Sequence, residues 1–468
     1  VEEKSVDVAI IGAGSAGLYT LGQVRPSGKS FVLINGGHLG TTCARVGCMP
    51  SKALIQAADD FHRRNILSRY GVEGYDELEL DDEDTLEHVR DLRDTFVERV
   101  LSNSTDRLPE ELFIEGYAKF IDPHTLEVEG QRIRAGKIII ATGSRPIIPK
   151  PWEVFGERIV TTDSVFEMEG LPQSMAVIGL GVIGLEIGQS LARLGVDVTG
   201  FDQLQTIGAL DDEAVAKVAI EAIGRDFPLH LGQTAEITEE GGRLRVTAGE
   251  QSVRVDKVLA SLGRRPNLDN LAIENAGIEL DERGIPVYDH NTMQLGDSHI
   301  FIAGDVNGDR PLLHEAGDEG RIAGFNTVND RVTAFKRKPT LSINFCDPNI
   351  CHVGSRFSEL DPETSAIGEV RFAPVGRAMI MGKNRGIIRV YGDKQSGRLL
   401  GAEMACVKGE NLAHLLAWAI QNGQTVGELL RMPFYHPVIE EALQAALYDL
   451  YSKVEQKNEG PITELEVL

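Results

Sequence analysis

The chain has 468 residues, 42% hydrophobic and 25% charged, a length beyond what one hydrophobic core supports and a composition ordinary for a globular protein, so two to four domains are expected. Its 71 acidic against 47 basic side chains leave a formal net charge of −24, which repels polyanions at long range and argues against nucleic acid and anionic membranes as partners. Five cysteines, an odd number over so long a chain, exclude a disulfide scaffold.

The opening Val1-Glu2-Glu3-Lys4 is unlike a secretory signal, and no apolar run approaches the length of a membrane span, so a cytoplasmic protein without membrane insertion is expected. Residues 6–11 are a short apolar run typical of a buried parallel strand. They lead straight into Gly12-x-Gly14-x-x-Gly17, a helix-compatible segment and a second strand over 31–34, which is the dinucleotide fingerprint in its required context. Its glycines let the turn close and the backbone approach a pyrophosphate at the helix N-terminus. Where such units offer a carboxylate to the adenosine ribose, this chain has Asn35, an uncharged hydrogen-bonding group.

Next comes the stretch 41–52, Thr-Thr-Cys-Ala-Arg-Val-Gly-Cys-Met-Pro-Ser-Lys. Cys43 and Cys48 are too few for a zinc site, and no second pair at finger spacing follows. A redox pair is the better reading, with two inert thiols as the alternative. On a regular helix their Cα atoms would be about 8.7 Å apart, and a disulfide needs less than about 7 Å. The backbone must therefore bend, for which Gly47 supplies freedom. Pro50 sits where a first helical turn begins, which puts Cys48 near the positive end of a helix and favours its thiolate.

An acidic cluster over 76–84 leads into a helical pattern of Leu86, Val89, Leu92, Phe96, Val97, Val100 and Leu101, read as a helix with a solvated charged face. A docking surface for a basic partner is the alternative. Residues 138–140 form an apolar strand that closes on a small-residue turn, Ala141-Thr142-Gly143-Ser144-Arg145-Pro146. The nucleotide pattern then repeats, with a strand over 175–178, Gly179-x-Gly181-x-x-Gly184, a helix over 185–194 and a strand over 196–201 ending in Asp202. Asp202 stands where a ribose-binding acid is expected, and no arginine occurs over 203–210 to receive a 2′-phosphate, so NAD is preferred over NADP. Two dinucleotide modules imply two dinucleotides.

The second module has its own exit turn, Leu262-Gly263-Arg264-Arg265-Pro266, and residues 300–302 are a strand running into Gly304-Asp305. Beyond about residue 337 the pattern becomes α+β, with strands near 342–345 and 386–391 and a helix over 411–420. Cys346 and Cys351 repeat the five-residue spacing but lack a following helix start or lysine, and are read as idle; Cys406 has no partner in view. Near the end lies Phe434-Tyr435-His436-Pro437-Val438-Ile439-Glu440-Glu441, in which Pro437 suits a first helical turn.

The pattern Cys43-x4-Cys48-x-Pro50-Ser51-Lys52, with Gly12-x-Gly14-x-x-Gly17 before it and His436-Pro437-x3-Glu441 near the end, resembles the class I pyridine nucleotide-disulfide oxidoreductases, the flavoprotein family of dihydrolipoamide dehydrogenase, glutathione reductase and mercuric reductase. The resemblance implies an α/β fold: two doubly wound Rossmann-like nucleotide-binding domains, for FAD (1–148, with the redox disulfide) and NAD (149–267), a central domain completing the FAD site (268–336) and a C-terminal α+β dimerisation domain (337–468). FAD would be held by Gly12, Gly14, Gly17, Asn35, Thr42, Lys52, Thr142, Gly143, Asp305 at the ribitol, and Leu313 at the helix under the flavin ring. NAD would be held by Gly179, Gly181, Gly184, Asp202 and Gly263, with Glu186 pairing Lys52. By the same resemblance Cys48 faces the flavin, Cys43 exchanges with substrate, and His436, oriented by Glu441, is the acid-base group, reached across a homodimer with shared active sites. No metal is expected.

The implied reaction is dihydrolipoamide + NAD+ to lipoamide + NADH, with service in a multienzyme complex as a further implication. Val438 stands where lipoamide-type members usually have threonine. The alternatives are another disulfide reductase of the glutathione-reductase kind, and a slow redox-sensing or subunit-binding flavoprotein.

Overall fold

The computed structural model describes residues 3–468; Val1 and Glu2, counted in the first expected domain, lie outside the described residues. The first apolar run extends back to form the strand Glu3–Ile11, lying parallel between Phe31–Asn35 and Gln131–Ile140. Val8, Ala9, Ile10 and Ile11 are all buried, the continuous rather than alternating pattern of a parallel strand covered on both faces. Phe113–Glu115 extends the sheet beyond Phe31–Asn35, and Ile300–Ile302 adds in parallel to the last residues of Gln131–Ile140, so a strand from beyond the second module completes the first sheet.

On that sheet the helices Ser15–Val24 and Leu313–Val328 pack closely enough for Thr20 Oγ1 to donate to the Gly320 carbonyl at 3.0 Å. A Cβ on Gly324 would stand 2.8 Å from Gln23 Cβ and 2.9 Å from the Thr20 carbonyl oxygen, so only glycine permits this separation.

The second module repeats the arrangement. Ser174–Ile178 lies parallel between Asp197–Asp202 and Lys257–Ala260, with Leu229–Leu231 and Ile159–Val160 at the edges. An antiparallel layer of Glu236–Glu240, Arg243–Ala248 and Gln251–Val255 packs its apolar side, Leu244, Val246 and Val255, against the sheet. The two exit turns join as a short antiparallel ribbon, Ser144–Pro146 with Arg264–Pro266.

The C-terminal part is a five-stranded antiparallel sheet in the order Leu341–Asn344, Asn349–Gly354, Leu399–Cys406, Ile387–Asp393, Ser365–Arg371. Helices Gly409–Gln421 and Glu440–Lys453 cover it through Leu412, Leu416, Leu443, Leu447 and Leu450. Pro437 corrects the sequence reading. The last helix starts at Glu440, and Pro437 lies in the approach to it behind a cis His436–Pro437 peptide. The physical reason is that Glu441 reaches back to accept the Val438 N–H at 3.1 Å, so the segment turns once more before the helical ladder begins.

The acidic stretch has a local explanation. Asp81 accepts the Asp84 N–H and caps the helix Asp82–Asn103, whose first turn carries Asp82, Glu83 and Asp84 where the helix dipole favours them. Asp82 also accepts the Leu171 N–H at 2.6 Å, tying this helix to the second module. Among the described residues no helix is long and apolar enough to cross a membrane.

Candidate functional site

The two phosphate turns are built on the same plan. Gly12 donates its N–H to Ile34 O at 2.7 Å and Gly179 to Phe201 O at 2.8 Å, both with positive φ. A Cβ on Gly17 would overlap the Gly12 carbonyl, and one on Gly184 would overlap the Gly179 carbonyl. The strand-end residues also correspond. Asn35 Oδ1 accepts the Ala13 N–H at 3.0 Å, as Asp202 Oδ2 accepts the Leu180 N–H at 2.6 Å. Asn35 Nδ2 donates to Gly37 O, so its amide is engaged within the turn. Gly14 and Gly181, by contrast, have nothing within 4 Å of a built Cβ, and neither helix start carries a side-chain cap. Free amides around an open space at a helix N-terminus suit a pyrophosphate, so both turns fit the dinucleotides expected of them.

The helix Thr42–Val46 ends at Gly47 and the helix Cys48–His62 begins there. This is the bend the cysteine spacing demanded. A Cβ on Gly47 would lie 3.0 Å from Thr42 O and 3.3 Å from Cys43 Cα, so a side chain there would have to push the preceding turn back by a few tenths of an ångström. Thr41, which sequence reasoning passed over, takes φ 65 and uses its hydroxyl to accept the Ala44 N–H at 3.2 Å, capping the short helix. Cys43 and Cys48 are free thiols, Cys43 half-buried and Cys48 exposed. The Cys43 thiol donates to the Cys48 sulfur, and this bond, helped by the Lys52 charge, brings the Cys48 pKa down to about 7. The same hydrogen bond, with burial, pushes Cys43 upward. In the reduced protein freed of flavin, alkylation of Cys48 should therefore switch on with a midpoint near pH 7, the thiol being protonated below it. Cys43→Ala should move that midpoint upward; an unchanged midpoint, read by mass spectrometry after timed iodoacetamide exposure, would show that the bond is not the cause.

Lys52 and Glu186 meet as the resemblance implied. Lys52 Nζ donates to Glu186 Oε2 at 2.8 Å, while Glu186 Oε1 accepts the Phe345 N–H at 2.9 Å and the ammonium stands 4.6 Å from the Phe345 ring centre. Seven residues further along both helices a second rung, Asp59 with Arg193, reverses the charges at 2.5 Å. Arg193 also holds Asp226 at 3.0 Å and Asp347 at 3.2 Å. The matched 52/59 and 186/193 spacings are visible in the sequence, whereas the part played by Phe345 and Asp347 is not.

Asp305 Oδ2 accepts the Ser144 hydroxyl at 2.7 Å, and Ser144 in turn accepts Arg264 Nε at 2.8 Å. The exit turn of the second module thus braces the Asp305 carboxylate. Thr142 Oγ1 donates to Asn267 O at 2.8 Å, so this hydroxyl joins the two exit turns. Gly143 and Gly263 both take positive φ there. Leu313, 41% exposed, is the first residue of the helix Leu313–Val328, and burial lowers the pKa of the next residue, His314. Cys346, Cys351 and Cys406 are buried, and burial raises all three thiols.

His436 Nδ1 and Glu441 Oε1 are 2.8 Å apart, and the imidazole holds the Glu441 carboxyl below its usual range. The histidine side chain is 81% exposed, and among the described residues its hydrogen bond goes to Glu441 rather than to either cysteine. The geometry unites Cys43, Cys48, Lys52 and Glu186 but leaves His436 facing outward.

The family model for pyridine nucleotide-disulphide oxidoreductase matches residues 6–320, and that of the family's dimerisation domain matches residues 340–447. The chain is 32% identical to a dihydrolipoyl dehydrogenase of Haloferax volcanii, over 94% of this chain and 95% of that protein. It is 27% identical to a soluble pyridine nucleotide transhydrogenase of Mycobacterium bovis, over 97% and 99%. Among solved structures, the HOCl-induced flavoprotein disulfide reductase RclA from Escherichia coli, as its Cu(II) complex, superposes with a TM-score of 0.82 at 24% identity, over 97% of this chain and all of that one. That likeness bears on the fold alone.

Proposed function

Because the chain belongs to the pyridine nucleotide-disulphide oxidoreductases, whose members use FAD and a nicotinamide dinucleotide, we propose that it is an NAD-linked dihydrolipoamide dehydrogenase working as a homodimer with shared active sites. The observation that carries this reading is the Cys43–Cys48 pair at a helix entrance beside Lys52, set between two phosphate turns of which the second ends in Asp202. When bound, FAD would pass the electron pair between the cysteine pair and the nicotinamide.

In the oxidised form Cys43 and Cys48 share a disulfide. His436 of the partner subunit takes the proton from one substrate thiol, and the resulting thiolate attacks Cys43 Sγ, breaking the disulfide and releasing Cys48 as a thiolate. The Cys48 position at the first residue of its helix and the Lys52 charge stabilise that leaving group. The second substrate thiol then attacks the substrate sulfur bound to Cys43, breaking the mixed disulfide and closing the lipoamide ring while its proton passes to the departing Cys43 sulfur, which leaves the Cys43 thiol beside the Cys48 thiolate; the two electrons lost by substrate are those that NAD+ finally accepts. A disulfide that opens and closes in every turnover suits a reducing compartment, so the proposed location is the cytoplasm.

The Asp202 carboxylate accepts ribose hydroxyls and repels a 2′-phosphate, and residues 203–210 contain no arginine to offset that. We expect NADH to be preferred over NADPH by at least about tenfold in kcat/KM, a difference of about 1.4 kcal/mol. The test is a panel of lipoamide, glutathione disulfide and mercuric ion, each with NADH and NADPH. Turnover highest with lipoamide and NADH supports the reading. Equal use of the two nucleotides defeats the cofactor argument, and faster glutathione disulfide reduction defeats the substrate.

A further inference from the structure

Glu319 lies in the middle of the helix Leu313–Val328 and is fully buried. A carboxylate in such a place is costly unless every oxygen is answered. Here both are. Oε2 accepts the Gly304 N–H at 2.7 Å and Asn307 Nδ2 at 2.8 Å, and Oε1 accepts Arg337 Nη2 at 2.9 Å. Arg337 also pairs with Glu315 and donates to His290 O at 3.2 Å, so the guanidinium is itself fixed from two further sides.

The group so answered is the turn between the strand Ile300–Ile302 and Asp305. Ala303 still donates to the sheet, through Ile140 O at 3.0 Å, and Gly304 is the first residue whose N–H points to the helix instead. Gly304 takes φ 81 and ψ −166, and a Cβ on it would lie 2.8 Å from that of Ala16, so the turn is pressed against the helix that starts at the first phosphate turn. Asp305 follows directly, with Oδ2 committed to Ser144. Among the described residues no hydrogen bond reaches its other oxygen, which can accept from a ligand hydroxyl.

We propose that Glu319 is a positioning residue for the flavin: by holding Gly304 and Asn307 on either side of Asp305 it sets the carboxylate against the ribitol chain of FAD. The inference rests on the reading of Asp305 as a flavin contact. A staple needed only for folding would stabilise the turn whether or not Asp305 could bind ribitol; a positioning residue acts through that carboxylate and loses its effect when the carboxylate is gone.

The experiment is a double-mutant cycle read on FAD release, by equilibrium dialysis of each holoenzyme with flavin fluorescence, using Asp305→Asn, Glu319→Gln and the double variant. We expect Glu319→Gln to weaken FAD retention by at least about tenfold, the order for a lost hydrogen bond to a charged group. In the Asp305→Asn background the same change should cost less than about threefold, since coupled residues are non-additive. Equal weakening in both backgrounds, or none in either, overturns the proposal. Unchanged retention in Asp305→Asn alone overturns the reading of Asp305 and the proposal with it, and is recognised from that single variant. Should Glu319→Gln not fold, Asn307→Ala removes one of the donors to Glu319 and leaves its ion pair with Arg337; it is expected to weaken retention in the parent and not in the Asp305→Asn background, and additivity there overturns the proposal equally.

Discussion

His436→Gln is expected to lose at least about a hundredfold in disulfide turnover, the lower range for general acid-base help. The Cys43 thiol is raised by burial and by donating to Cys48, so little of it is thiolate at neutral pH without a base, and exchange needs the thiolate. His436 is bonded to Glu441 and its ring is otherwise open to an incoming group. Glutamine is of similar size and has no nitrogen that can act as a base. FAD content and the rate of reduction by NADH should stay near the parent's, because His436 is far in sequence and in hydrogen bonding from both phosphate turns. Glu441→Gln should lose less, since the base remains. Stopped-flow separation of the NADH and disulfide half-reactions checks both. In verified heterodimers of Cys43→Ser and His436→Gln subunits, one intact site should return; no recovery would refute the shared-site geometry.

Gly184→Ala is expected to separate the two nucleotides. The added Cβ would overlap the Gly179 carbonyl and stand 2.8 Å from Ser261 Oγ, so the second phosphate turn must open while the first is untouched. Overpacking of this kind costs about 1–3 kcal/mol. Spent on the pyrophosphate site, that is about five- to 150-fold in NADH affinity. Flavin should remain bound, and turnover should recover in part at high NADH. Titration of NADH against bound-flavin fluorescence checks this, and Gly17→Ala is the mirror experiment, expected to release FAD instead.

Much of the architecture is legible because it is local. Gly17 and Gly184 are each fixed by a carbonyl five residues away, so their spacing announces the turn, whereas Gly12 and Gly179 are pressed by the distant carbonyls of Ala141 and Ser261. Gly47 is similarly implied by the distance two cysteines must close. Asn35 and Asp202 hold corresponding places: Asn35 is engaged with Ala13 and Gly37, and Asp202 with Leu180 and Leu204, backbone bonds that their positions in the sequence do not announce.

The supports of the site are long-range and left no mark in the sequence. Phe345 meets Glu186, Arg264 reaches Ser144, and Glu319 meets Gly304, each joining parts of the chain that no periodicity connects. Pro437 was misplaced because helix-start preference says nothing of the extra turn that Glu441 imposes through Val438.

If Cys43 and Cys48 form the disulfide that NADH reduces through the flavin, anaerobic reduction of the air-oxidised holoenzyme with one equivalent of NADH must open that bond and no other. Thiols are then trapped with an alkylating reagent under denaturing conditions and located by peptide mass spectrometry. Labelling at Cys43 and Cys48 is expected to rise from near nothing to near completion while the buried Cys346, Cys351 and Cys406 are labelled to the same extent before and after. Labelling of Cys43 and Cys48 that does not change with NADH would contradict this assignment.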